Sequence, residues 1–174
     1  MIAVSDTGPL LYLSLIDCIE LLPRIFEKVL IPRAVAEELT DTSTPPQASA
    51  LIVRKPDWLD ICTVPGTDLS LQRLGPGERE AIALALSAHS DVLLIDDAAA
   101  RRIATQTCKI AASGTIGVLY EAARDGRVPF TATEFDHAIE RLQMTSFYAS
   151  SALQQSIQDL SRRLHAGEVR SESC

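Results

Sequence analysis

The sequence predicts an α/β protein: a three-layer α/β/α domain on a central, mainly parallel sheet, with extra C-terminal helices. Three observations carry this. Short aliphatic runs alternate with helical patterns through the first 125 residues, the order that builds parallel βαβ units. The run Val92-Leu93-Leu94-Ile95 lacks polar alternation, as expected of a strand buried on both faces. It runs directly into Asp96-Asp97, beyond the carboxyl end of a strand, where open α/β sheets bind ligands.

Each element has a local reason. Ile2 to Ser5 is a first strand ending at Asp6, and Gly8-Pro9 opens a helix carrying Leu10, Leu11, Leu13, Leu15 and Ile16. A helical piece from Ile19 to Phe26, with Pro23 inside it, leads to the strand Val29-Leu30-Ile31, stopped by Pro32. Pro32 to Leu39 reads as a helix, Thr40 to Gln47 as a loop, and Ala48 to Arg54 as a short helix. Leu59 to Val64 is the third strand, ended by Pro65-Gly66. Leu74 to Glu78 forms a rigid turn feeding a helix to about His89, apolar nearly all round and so expected between layers. After the Val92–Ile95 strand comes a helix with Ile103 and Ala104 inward and Arg101 and Arg102 outward. Lys109 to Ala112 is the fifth strand, and Ser113-Gly114-Thr115 starts a helix closed by Asp125-Gly126. Thr131 to Met144 and Ser151 to His165 are amphipathic helices, followed by a polar tail from Ala166.

Bulk properties narrow the function. A length of 174 residues with 47% hydrophobic and 22% charged residues suits one domain with a sizeable core. No apolar run approaches a membrane span and no leader pattern opens the chain, so a cytoplasmic protein without membrane contact is expected. Cys18, Cys62, Cys108 and Cys174 are scattered, without zinc or disulfide spacing. A net charge of −7 and a pI near 4.9 argue against a broad basic nucleic-acid surface. They leave room for an acidic cluster that binds a divalent cation, because the cation then supplies the local positive charge.

Acids fall where such a cluster would form. Asp6 and Asp96-Asp97 follow strands that a parallel sheet aligns at one edge, while Glu38 and Glu78 lie near helix ends. Four converging carboxylates repel unless a cation neutralises them, and an all-oxygen set suits Mg²⁺ or Mn²⁺. Each acid also has a plain reading. Asp6, Asp96 or Asp97 can cap the following helix, Glu78 favours a helix N-terminus, and Glu37 and Glu38 suit a wet helix face. His89, His137 and His165 stand apart from any nucleophile pattern.

Four stretches, in order, resemble the PIN-domain superfamily: Val4 to Leu10, Pro32 to Leu39, Gly77 to Ala85 and Leu94 to Arg101. The chain is similar to a prokaryotic PIN-like branch described as predicted nucleic-acid-binding proteins, and Gly114 to Leu119 also fits it. The similarity spans about residues 1–130, leaving helices at 131–165, packed on the same domain or on a partner, and a tail at 166–174. The resemblance implies a metal-dependent endoribonuclease using Mg²⁺ or Mn²⁺, similar to the toxins of type II toxin–antitoxin pairs. Its catalytic set maps to Asp6, Glu38, Glu78 and either Asp96 or Asp97, with Asp6, Glu78, Asp96 and Asp97 as candidate metal ligands. The interval from Glu78 favours Asp96; the acid that opens the following helix is Asp97. Arg79, Arg101 and Arg102 are candidate contacts to the RNA backbone, and a homodimer and a co-encoded antitoxin are the implied partners.

The sequence also departs from the family pattern. Gly8 stands where Ser or Asn is frequent, Glu78 replaces a common Asp with Glu80 nearby as a competitor, and Leu94-Ile95 replace a small hydroxyl residue. These departures bear on catalytic strength more than on fold. The alternative they raise is a weak or inactive PIN-like protein that binds nucleic acid or a partner. Phosphatase and receiver patterns fit poorly: Gly8 occupies the phosphatase's second acid, and the acidic pair follows the fourth strand, not the first.

Overall fold

The computed structural model of the chain describes residues 1–64, 74–126 and 128–171. Its sheet comprises β1 (Ile2–Ser5), β2 (Lys28–Pro32), β3 (Leu59–Cys62), β4 (Val92–Leu94) and β5 (Ala112–Ser113). All pairings are parallel and the strand order is β3-β2-β1-β4-β5. Consecutive strand residues point to opposite faces. Ala3, Val4 and Ser5, and likewise Leu93, Leu94 and Ile95, are all fully buried, so both faces of the central strands are covered. The fold is the expected α/β type, a parallel sheet flanked by helices in three layers.

Chain connectivity creates one special position. From β1 the chain moves to β2 and β3 on one side, then returns to place β4 on the other side of β1. The reversal falls between β1 and β4, where the connections diverge and leave a crevice past the strand ends. Val4 pairs with Leu93 and Ser5 with Leu94, and the Asp6 N–H donates to the Leu94 carbonyl at 2.9 Å. Asp6 and Asp96 therefore leave neighbouring strands at the same edge.

Helices α1 (Thr7–Leu15), α2 (Leu22–Ile25), α3 (Arg33–Thr40), α4 (Pro46–Arg54), α5 (Pro76–Ser87) and α6 (Ala98–Arg102) connect the strands. On α3 the buried residues Val35, Ala36 and Leu39 make one apolar face and leave Glu37 and Glu38 on the exposed one. On α5 the buried Ala81, Ile82, Leu84 and Ala85 join the core around Val4, Leu93 and Ile95. The third strand ends at Cys62, short of the expected Val64, while the Pro65-Gly66 expected to stop it lies outside the described residues.

Several boundaries differ from the sequence reading: β4 ends at Leu94 and not Ile95, α4 starts at Pro46 inside the expected Thr40–Gln47 loop, and two differences have a clear local cause. The fifth strand is not Lys109–Ala112 but Ala112–Ser113, because Lys109 and Ile110 are used to close the preceding helical turn. Lys109 takes the left-handed conformation (φ +58°) and the Ile110 N–H reaches back to the Ala104 carbonyl at 2.9 Å, the bonding of a helix C-cap. The last helix, α9 (Ser151–Ser171), continues past His165 into the expected polar tail, since polar residues without proline do not stop a helix.

The chain divides into two compact units, Met1–Thr115 and Ile116–Cys174. The cut falls ahead of the boundary near residue 130 drawn from the resemblance. The second unit holds α8 (Ala132–Gln143), α9 and most of α7 (Thr115–Asp125). Thr131 and Glu134 form a reciprocal capping box at the start of α8, and Tyr120 meets Phe135 edge to face at 6.5 Å. Ile157 and Leu164 of α9 are buried, at 8% and 6% exposure. Among the described residues no helix is long and apolar enough to cross a membrane.

Candidate metal centre

Asp6 occupies the N-cap position of α1, yet its side chain makes no capping bond to the helix. The residue is only 8% exposed. Burial, the main cause, pushes its pKa up to about 7; the Thr7 N–H opposes this, and the negative charges of Glu78, Glu38 and Asp96 add to the rise. These three acids are the ones that the sequence aligned with Asp6, brought together from α5, α3 and the end of β4.

The adjacent acids after β4 have separate tasks. Asp97 Oδ1 accepts the Ala100 N–H at 2.7 Å and caps α6, with its side chain exposed. Asp96 instead accepts the Thr115 N–H at 2.8 Å on Oδ1 and the Thr115 hydroxyl at 2.6 Å on Oδ2. Burial raises the Asp96 pKa, and the two Thr115 bonds and the Arg101 charge oppose this. Close backbone approach makes room for the carboxylate: a Cβ on Gly8 would lie 3.2 Å from Asp96 Oδ2, and one on Gly114 only 2.5 Å from Oδ1. Gly114 is thus the residue whose lack of a side chain Asp96 requires, and Gly8, read from sequence as a missing polar group, leaves it further room.

Glu38 accepts the Thr7 hydroxyl on Oε2 and the Gly77 N–H on Oε1 at 3.2 Å. Glu78 Oε2 accepts the Gly75 N–H at 3.0 Å, half of a capping box whose other half a glycine cannot supply. Its helix-terminal role and its charge on Asp6 coexist.

The arginines fall differently from the sequence expectation. Arg101 is not turned outward; its Nε and Nη2 donate to the Ile95 carbonyl at 3.1 and 3.0 Å, and Nη2 also to the Asp96 carbonyl at 3.0 Å. A guanidinium fork reaches back along its own helix more favourably here than to solvent, because the end of β4 leaves carbonyls unpaired. Arg102 is exposed, and Arg79 is half-buried with its Nε shielded from solvent.

A family model, DUF3368, described as a PIN domain, matches residues 2–169. The chain belongs to this PIN-domain family. No curated protein matches the chain. PIN domains are generally nucleases and typically use divalent metals, so a nucleic-acid substrate and a nuclease-type function follow for this chain at that level.

The donor set of this PIN domain can be compared with such a cation. All four acids offer hard oxygen atoms, and burial, with the neighbouring negative charges adding to it, raises the Asp6 pKa to about 7, so that its carboxyl is partly protonated at neutral pH. Among the described residues, however, no three His, Cys, Asp or Glu side chains are set to hold an ion directly. Carboxylate oxygens are the donors that hard divalent cations take, so the chemistry of these acids fits such an ion. Sequence reasoning missed Thr7 and Thr115 as members of the site. Gly114-Thr115 lay in a matched stretch, but a threonine opening a helix carries no sign of which carboxylate it will hold.

Proposed function

We propose that the protein is a metal-dependent endoribonuclease of PIN type, acting in the cytoplasm as the toxin-like component of a toxin–antitoxin pair. The supporting observation is the buried Asp6 surrounded by Glu38, Glu78 and Asp96 at the β1/β4 reversal. Asp6 and Asp96 would hold Mg²⁺ or Mn²⁺ directly, with Glu38 and Glu78 acting through water. When bound, the ion supplies activation of the attacking water and neutralisation of charge on the phosphate.

The chain's own residues do the rest. Asp6 would have to be deprotonated to hold the cation, so occupancy would depend on pH near neutrality. Thr115 fixes the Asp96 carboxylate through both oxygens, and Arg101 ties down the backbone beneath it. Arg79 and Arg102 remain the proposed contacts to the RNA backbone, while Arg101 is better placed to support Asp96. A homodimer and a co-encoded antitoxin belong to this reading through the resemblance to toxin ribonucleases.

A second reading is favoured by one observation. Glu38 already has a hydrogen-bond donor on each oxygen, Thr7 on one and Gly77 on the other. A weak or inactive PIN-like protein that binds nucleic acid or a partner would keep that arrangement. Purified chain, freed of partners, assayed on single-stranded RNA with Mn²⁺, Mg²⁺ or EDTA decides between them. The nuclease reading expects cleavage that EDTA and Asp6→Asn both abolish; cleavage indifferent to either would sink it. Absence of cleavage with RNA or partner binding intact would favour the second reading.

A further inference from the structure

Helices α3 and α5 carry Glu38 and Glu78, and of the two only α5 bonds part of its own N-terminus, through Glu78 to the Gly75 N–H. The N-cap of α3 is Pro32 and that of α5 is Gly75, and no side chain on either caps the helix that follows. Each helix is capped by the other. Glu38 of α3 accepts the Gly77 N–H in the first turn of α5, and Glu80 of α5 accepts the Ala34 N–H in the first turn of α3, both at 3.2 Å. First-turn N–H groups have no acceptor within their own helix and lie at its positive end, so a carboxylate suits them. Gly77 is required by the closeness of this exchange, since a Cβ there would lie 2.8 Å from Glu38 Oε1.

We propose that Glu80 is a positioning residue: by capping α3 from α5 it holds the two helices in the register that sets Glu38 and Glu78 at the sheet edge. The proposal rests on the nuclease reading of those two acids. It separates Glu80 from Glu78, which the sequence left as competitors for one role. Glu78 acts on Asp6 through its charge, whereas Glu80 is engaged with a backbone donor on α3. An acceptor for an N–H needs a lone pair and not a full charge, so glutamine can replace it. A metal ligand or proton acceptor in that place could not be so replaced.

The test compares Glu80→Ala, Glu80→Gln and Glu78→Gln by Mn²⁺-dependent cleavage of single-stranded RNA, and by the amide NMR signals of Ala34 and Gly77 in metal-free protein. Glu80→Ala is expected to lower kcat about tenfold or more with KM for RNA little changed, and to move both amide signals. Glu80→Gln is expected to restore both, while Glu78→Gln loses cleavage. The proposal is overturned if Glu80→Gln is as impaired as Glu80→Ala, or if the Gly77 amide stays in place when Glu80 is removed. If Glu80→Ala does not fold, Glu80→Gln that cleaves like wild type while Glu78→Gln loses cleavage supports the proposal, and Glu80→Gln as impaired as Glu78→Gln overturns it. A wild-type chain that cleaves no RNA would defeat the nuclease reading alone, because the Gly77 amide still reports whether the exchange couples the helices.

Discussion

Several exposed acids of the second unit are treated in the opposite way from the buried acid at the sheet edge of the first unit. In the second unit they sit beside cations of the chain itself: Asp136 meets His165 at 2.7 Å, and Asp159 pairs with Arg162 and Glu121 with Arg124. Burial tends to raise the Asp136 pKa, but hydrogen bonds from His165 and Ser161 and the charges of His165 and His137 carry it below the usual carboxylate value. At the sheet edge of the first unit the order is reversed. Asp6 is buried, every charge acting on it is negative, and its carboxyl holds a proton near neutrality. A fold that provides partners for exposed acids and withholds one from its most buried acid has a site that something from outside completes.

The largest expected effect tests that contrast directly. Below about pH 4 the Asp6 carboxyl is protonated in folded and unfolded chains alike, and between about pH 4 and 7 only the unfolded chain releases the proton. Metal-free protein should therefore lose on the order of 2–4 kcal/mol as pH rises through that window. Asp6→Asn should melt higher than wild type at pH 8 without metal, yet lose cleavage by at least about 100-fold and lose the stabilisation by Mn²⁺. Equal melting of the two proteins at pH 8 would show that the buried acid carries no such cost.

Arg101→Ala asks whether the Asp96 side of the site depends on the chain's own cation. With two backbone carbonyls released, kcat should fall about 10- to 100-fold while KM for RNA stays near the wild-type value. A rise in KM alone would return Arg101 to the role of substrate contact. Asp97→Ala should have a smaller and different effect. It should cost about 1 kcal/mol in a denaturant melt through the lost cap, with cleavage within a few-fold of wild type. Complete loss of cleavage would instead place Asp97 at the reacting centre.

Asp136→Asn should have the smallest effect, under about 1 kcal/mol, since both partners are well exposed to solvent. The Asp136 pKa lies below its ordinary value, so its contribution is present at neutral pH and lost as pH falls through the carboxylate range. A thermal melt at pH 7 and pH 3 checks the sign. A gain in stability from Asp136→Asn at pH 7, of the kind predicted for Asp6→Asn, would remove the distinction between the two acids.

Much of this molecule could be read from its sequence, for reasons that are local. Aliphatic runs long enough to be buried on both faces, with helical periods between them, already specified a parallel sheet, and parallel strands must place Asp6 and the Asp96-Asp97 pair at one edge. Element ends were less legible where residues other than glycine took the left-handed conformation, as Lys109 does when it shortens the fifth strand. A side chain gives little notice that tertiary contacts will hold it in that conformation.

What the tertiary structure decided was the partner of each charged group. Asp96 and Asp97 are chemically identical neighbours, and only the approach of Thr115 and the start of α6 gave one to the crevice and the other to a helix cap. The same holds for Glu78 and Glu80, two residues apart on one helix, one facing Asp6 electrostatically and the other capping α3. Composition and spacing determine which groups reach an edge. Which of them remain without a partner there depends on bonds between residues far apart in the chain, and those bonds exist only once the sheet has formed.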